Sequence, residues 1–198
     1  QWQQSPPWPP PPAPPEPAPL EGAEGWPARF GLFTLFGGFL AAQVAIGFLI
    51  VFFEIGGGSI EDPAFIVLAS IIQSVVFVAI AVAIARTRGP VSARDFGLVR
   101  APLASTAGKS VAIFLAYLLI FGVYSMLVDL EADETPDKLG ADSGTLGMIG
   151  FVLMASIVAP FAEEFFFRGM VFRAFANGMG VVLAALVSGL LFGALHID

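Results

Sequence analysis

Long apolar stretches without a charged residue constrain this chain more than any other feature of its sequence. The run from Phe30 to Phe53 holds twenty-four residues and no charge, and about 20 apolar residues suffice to cross the hydrocarbon core of a bilayer. A similar run extends from Ala64 to Ala85. Only 13% of all residues are charged, whereas soluble domains carry about 25%. The sequence therefore predicts a protein that spans a membrane.

Three further apolar runs bring the predicted number of spans to about five. They cover Ser110–Val128, a segment that starts near Leu146 and ends near Ala176, and Gly180–Asp198. We expect each span to be a helix with a rise of ~1.5 Å per residue. The predicted fold class is all-α, a polytopic transmembrane helical bundle over residues 29–198. We expect this domain to be incomplete at its C-terminal end, because the sequence stops two residues after its only histidine.

The N-terminal residues 1–28 differ from the rest in composition. Eleven prolines fall within residues 1–27, four of them consecutive from Pro9 to Pro12. Such a composition favours an extended, disordered segment that is partly polyproline II. We predict a solvated tail, and a docking site for a proline-reading domain is the alternative interpretation.

Lysine and arginine are concentrated in one predicted loop, residues 86–109. Its five basic residues stand against the single acid Asp95: Arg86, Arg88, Arg94, Arg100 and Lys109. Because basic residues in short loops mark the cytoplasmic side, this loop and the N-terminal tail are predicted to be cytoplasmic in a multi-pass protein of the cell membrane. The partner expected from these features is the lipid bilayer. Nucleic acid is not an expected partner, and the net charge of −7 says little about an acidic or basic one.

The fourth predicted span contains two carboxylates and a guanidinium. They lie in the sequence Glu163-Glu164-Phe165-Phe166-Phe167-Arg168, with Pro160 just before and Arg173 just after. A charge near the centre of a bilayer costs ~2.5–3.5 kcal/mol, which makes such residues functional candidates. We expect Glu164 and Arg168, at i and i+4, to pair on one face and Glu163 to face the bundle interior. Arg173 is interpreted as a headgroup anchor, and the phenylalanines as lipid-facing or as the surface of the core.

The only histidine, His196, lies thirty-three residues after Glu163 on the next apolar run. Asn177-Gly178 between them favours a turn, and a helical hairpin bent there would bring His196 and Glu163 to similar depth. On the second helix, Gly189 and Gly193 form a G-x-x-x-G pattern that allows a neighbouring helix to approach closely. The triplet Asp95-Phe96-Gly97 spells a kinase motif, but no kinase domain surrounds it, so we assign it no function.

These two motifs carry a family resemblance. The order Glu-Glu-x-x-x-Arg, followed by Phe-x-x-x-His on the next helix, resembles the CAAX prenyl protease and bacteriocin-processing family, also called the Abi family of intramembrane peptidases. The motifs fall within residues 146–198 and read Glu163-Glu164-Phe165-Phe166-Phe167-Arg168-Gly169 and Phe192-Gly193-Ala194-Leu195-His196.

The resemblance implies an intramembrane endopeptidase that hydrolyses membrane-associated or lipidated proteins, so a membrane-associated peptide or protein substrate is the second expected partner. In the family the first glutamate activates water, the second glutamate and the arginine support it, and the histidine acts with the water or with a metal. Carried over, these residues are Glu163, Glu164, Arg168 and His196. A divalent metal such as Zn²⁺, with Glu163 and His196 as candidate ligands, and a metal-independent glutamate mechanism are both open. The alternative function is non-enzymatic: an immunity or scaffold factor, or a small transporter, that keeps the polar cluster for structure or proton coupling.

Overall fold

Helices make up most of the part of the chain that the structure, a computed structural model, describes. The described residues are 25–100, 102–128 and 145–196, and all regular structure among them is helix. Within these residues, four helices are long and apolar enough to cross a membrane. The predicted all-α fold is confirmed. Most of the predicted N-terminal tail, residues 1–24, lies outside the described residues.

Five helices and one short 3₁₀ turn follow one another within the described ranges. They are α1 (Ala28–Ile55), α2 (Pro63–Arg86), the 3₁₀ turn (Ala93–Phe96), α3 (Leu103–Leu127), α4 (residues 145–179) and α5 (Val181–Ala194). The fifth predicted span corresponds to α5, which has only 14 residues. A helix of that length is short of the ~20 residues that a full crossing requires.

Helix α4 is continuous but changes its winding along its length. It consists of α-helix Thr145–Leu153, π-helix Met154–Val158, α-helix Ala159–Glu163, π-helix Glu164–Phe172 and α-helix Arg173–Met179. A π-helix makes i→i+5 hydrogen bonds, is rare, and is often found at functional sites. The second π-helix therefore begins at Glu164, directly after Glu163.

The predicted turn at Asn177-Gly178 is wrong. Helix α4 continues through both residues to Met179, and the chain reverses at Gly180, whose φ is 80°. The side-chain amide of Asn177 donates to the backbone carbonyl of Trp26 at 3.1 Å. A Cβ at Gly178 would lie 2.7 Å from the Cβ of Ala28. These residues therefore serve the packing of the α1 N-terminus against α4 rather than a turn.

The core between α1, α2 and α4 is built around Phe166. Its ring is fully buried and stacks on Phe77 of α2, with ring centroids 4.3 Å apart. The edge of Phe39 of α1 meets it at 6.1 Å. A Cβ at Gly38 would lie 2.5 Å from the same ring. The absence of a side chain at Gly38 therefore lets α1 reach α4.

Gly38→Ala is expected to destabilise the bundle. An added methyl group would overlap the Phe166 ring, and overpacking of a filled core costs ~1–3 kcal/mol. Gly47 lies on the same helix with open space at its Cβ position, so Gly47→Ala should be neutral or stabilising, because alanine is favoured over glycine in helices by ~1 kcal/mol. Thermal unfolding of both variants in detergent measures the difference. Equal midpoints for the two variants would contradict this packing.

Helix α3 lies apart from this core. All of its described side chains are exposed, and only Gly122 within it is half-buried. The packed part of the described structure is therefore α1, α2, α4 and α5, with the 3₁₀ turn placed against α4.

Candidate active site

Three consecutive phenylalanines after the acidic pair fix the orientation of α4. The three rings leave the helix in different directions. Phe165 stacks on Phe96 at 4.4 Å, Phe166 stacks on Phe77, and Phe167 meets the edge of Phe192 on α5 at 5.1 Å. All three rings are buried. The interpretation of these rings as lipid-facing is therefore wrong, and the alternative interpretation as core holds. Each ring contacts a different neighbouring element, so together they determine which way Glu163, Glu164 and Arg168 face.

The predicted pair of Glu164 and Arg168 is present. One terminal guanidinium nitrogen of Arg168 lies 2.7 Å from each carboxylate oxygen of Glu164. Both side chains are largely exposed in the described structure. Because exposed ion pairs contribute only ~0–1 kcal/mol to stability, the main effect of this pair is to hold the Glu164 carboxylate in one place.

Glu163 lies at the end of the short α-helical piece that separates the two π-helices. It is half-buried, whereas Glu164 is exposed. The carboxylate of Glu163 interacts electrostatically with both His196 and Glu164. The two acids thus differ in their partners: Glu164 is held by Arg168, and Glu163 lies within electrostatic reach of the histidine from the next helix.

His196 follows the last turn of α5, and its ring has a defined orientation. Its Nδ1 lies 2.8 Å from the backbone carbonyl of Phe192. Since a carbonyl oxygen can only accept, Nδ1 must carry the hydrogen, and in the neutral ring Nε2 keeps its lone pair. The imidazole also packs against the Phe192 ring at 4.4 Å. Because Phe192 contacts Phe167, the histidine is connected by packing to the acidic stretch of α4.

A groove of about 320 Å³ lies between α4 and α5. Aromatic rings and small residues form most of its wall, and the ion pair lies on one side: Glu164, Phe167, Arg168, Ser188, Gly189 and Phe192. Glu163 and His196 are not among its lining residues. Gly189 and Gly193 have open space at their Cβ positions, so no described helix makes the close approach that their spacing allows.

The described residues do not by themselves fit a zinc site. Catalytic zinc takes three protein ligands and a water. Arg168 occupies the Glu164 carboxylate and the Phe192 carbonyl occupies Nδ1 of His196, which leaves the Glu163 carboxylate and one imidazole nitrogen. Among the described residues there is also no cluster of three or more His, Asp or Glu. The two candidate ligands Glu163 and His196 are thus fewer than the three protein ligands that a catalytic zinc ion takes.

Comparison with known proteins identifies the segment that holds these residues. Residues 145–198 match a family model described as Rce1-like, type II CAAX prenyl endopeptidase Rce1-like. The family resemblance is thereby confirmed for this segment. No curated protein and no solved structure gives a significant match. The Rce1-like segment is roughly a quarter of the chain, and it contains all four candidate site residues. At the level of the family, the match supports a protease of the CAAX type in a multi-pass membrane protein.

Proposed function

We propose that this protein is an intramembrane endopeptidase that cleaves membrane-associated or lipidated proteins with a water activated by Glu163. The observation that carries the proposal is that the half-buried Glu163 on α4 and His196, just after α5, lie within the Rce1-like segment and interact electrostatically. An acid and an imidazole supplied by neighbouring helices are the kinds of group that general acid–base catalysis uses.

In the proposed reaction, Glu163 takes a proton from water while the water oxygen attacks the scissile carbonyl carbon. The carbonyl π electrons move onto oxygen and give a tetrahedral intermediate. When this collapses, the C–N bond breaks and the proton held by Glu163 passes to the leaving amine. Atoms and charge balance without a further reagent. The products are a carboxylic acid and an amine, and transfer of the remaining water proton from the acid to the amine gives a carboxylate and an ammonium group.

We assign supporting roles to the other three residues. His196 presents Nε2, which in its protonated form donates a hydrogen bond to the developing oxyanion and in its neutral form relays a proton. Arg168 holds the Glu164 carboxylate, so Glu164 does not compete for the histidine.

We place the N-terminus and the 86–109 loop on the cytoplasmic side, because that loop carries most of the basic residues.

The proposal is tested first by asking whether the chain hydrolyses such a peptide bond. The purified chain in proteoliposomes is incubated with a peptide that ends in a farnesylated cysteine motif, in water enriched in heavy oxygen. We expect cleavage upstream of the C-terminus, with one heavy oxygen in the new carboxylate by mass spectrometry. A matched single-span peptide without lipid tests the wider substrate class. Absence of cleavage of both peptides, or products without the label, would overturn the proposal.

A further inference from the structure

A short segment between α2 and α3, residues 92–98, docks against the face of α4 next to the acidic pair. The segment is shaped by its own hydrogen bonds: the Ser92 backbone N–H donates to the Asp95 carboxylate at 2.6 Å, and the Ser92 hydroxyl lies 3.1 Å from the same oxygen. Gly97 follows with φ of 82°, a conformation that glycine adopts without steric cost. The chain thereby turns back so that Phe96 points at α4.

Phe96 is the anchor of this segment. Its side chain is only 6% exposed, and its ring stacks on Phe165 at 4.4 Å with an angle of 23° between the planes. Trp26 packs against Phe96 at 5.2 Å. A ring from just before α1 and a ring from α4 therefore contact the same phenylalanine. Aromatic pairs of this kind stabilise a contact beyond the burial of their surface.

The backbone of the segment also approaches α4 closely. A Cβ at Gly169 would lie 3.1 Å from the carbonyl oxygen of Phe96, and a Cβ at Gly97 would lie 2.7 Å from the guanidinium of Arg173. Arg173 also interacts electrostatically with Asp95. Arg173 therefore contacts this segment, and its interpretation as a headgroup anchor stays a prediction. The contacts on α4 fall at Phe165, Gly169 and Arg173, which share one helical face at i, i+4 and i+8.

The residues just before these contact positions belong to the candidate active site. Glu164 precedes Phe165 and Arg168 precedes Gly169. A cavity of about 260 Å³ between the segment and α4 is lined by both Glu164 and Arg168, together with Phe96 and Phe161. The docked segment and the ion pair therefore line the same cavity. The segment also contacts the same π-helix that carries the ion pair.

We propose that Phe96 is a positioning residue for Glu163, Glu164 and Arg168, and this inference rests on the proposed function. The π-helix Glu164–Phe172 depends on side-chain packing for its orientation, since Phe166 is held by α2 and Phe167 by α5. Phe96 holds the third ring, Phe165, and so prevents rotation of the acidic stretch about the helix axis. A displacement of 1 Å at a reacting group can cost ~10²-fold in rate.

Phe96→Leu tests this role, because leucine keeps the apolar burial but lacks a flat ring to stack. With the farnesylated peptide in proteoliposomes, we expect kcat to fall ~10–100-fold while KM changes by no more than about 2-fold, because the proposal leaves peptide binding in place. Phe165→Leu should have the same effect, and the double variant should lose no more than either single one, since both remove the same contact.

The matched control is Phe65→Leu. Phe65 is 7% exposed and pairs edge-on with Phe53 at 5.3 Å, at the opposite end of α2 from the 92–98 segment. It should lower the thermal midpoint by a similar amount as Phe96→Leu and leave kcat unchanged. If Phe65→Leu reduces kcat as strongly, or if Phe96→Leu leaves it unchanged, the positioning role is wrong.

A second measurement does not depend on peptidase activity. The chain has no cysteine, so a single Trp26→Cys reports on the docking, because Trp26 is 4% exposed and packs against Phe96. We expect its labelling by a polar maleimide to become several-fold faster when Phe96→Leu is added, whereas Ile60→Cys, exposed in the connection between α1 and α2, should label at one rate in both backgrounds. Unchanged labelling at position 26 would overturn the docking itself. If labelling accelerates but the wild-type chain cleaves nothing, the docking stands, and the proposed function and the positioning role both fail.

Discussion

Replacing Glu163 by glutamine is expected to abolish cleavage, with a fall in kcat/KM of about 10³-fold or more. Glutamine has the shape of glutamate and keeps its packing, but it cannot accept a proton from water. A positioned general base contributes ~10²–10⁴-fold to the rate, and Glu163 is the acid that Arg168 does not hold. The initial rate of peptide cleavage in proteoliposomes, measured at several substrate concentrations, gives kcat and KM separately.

Two other acids provide matched controls for this experiment. Glu164→Gln keeps a weaker hydrogen bond to Arg168, so the expected loss is nearer ~10-fold, as for a group that orients rather than transfers the proton. Glu61 is exposed in the connection between α1 and α2, and Glu61→Gln should leave the rate unchanged. Retention of more than about a tenth of the wild-type rate by Glu163→Gln would exclude it as the base, because a base that contributes ~10²-fold cannot be so dispensable.

The features that sequence predicts correctly are those set by local spacing. The apolar runs become helices because a charge-free run of about 20 residues has few other stable arrangements in lipid. Arg168 pairs with Glu164 because residues at i and i+4 are neighbours on any helix, whatever the rest of the chain does.

The features that sequence misses are set by residues far away along the chain. Asn177 lies inside α4 because its amide finds the carbonyl of Trp26, 151 positions earlier, and no local propensity encodes that partner. Phe96 belongs to a triplet that resembles a kinase motif, yet in the structure its ring is stacked on Phe165 of α4. The sequence does carry one signal for this contact, because Phe96 is the single aromatic residue in the basic loop 86–109.

His196→Ala is expected to lower kcat by about 10²-fold, with little change in thermal stability. The imidazole is exposed, and surface substitutions usually change stability by less than ~0.5 kcal/mol. The contribution of His196 to the rate should come from Nε2. Because Nδ1 is hydrogen-bonded to the Phe192 carbonyl, Nε2 remains available for the reaction. Loss of a general acid or of an oxyanion donor costs ~10²–10³-fold. Cleavage of the farnesylated peptide, followed together with thermal unfolding, separates the two effects.

His196→Phe distinguishes the chemistry of the ring from its packing. Phenylalanine retains an aromatic contact with Phe192, whose ring lies 4.4 Å from the imidazole, but it has neither ring nitrogen. If Nε2 takes part in the reaction, His196→Phe and His196→Ala should be equally impaired, since both lack the group that donates to the oxyanion or relays the proton. If His196→Phe instead retains the wild-type rate, His196 acts by holding Phe192 against Phe167, and the acid–base pair with Glu163 is wrong.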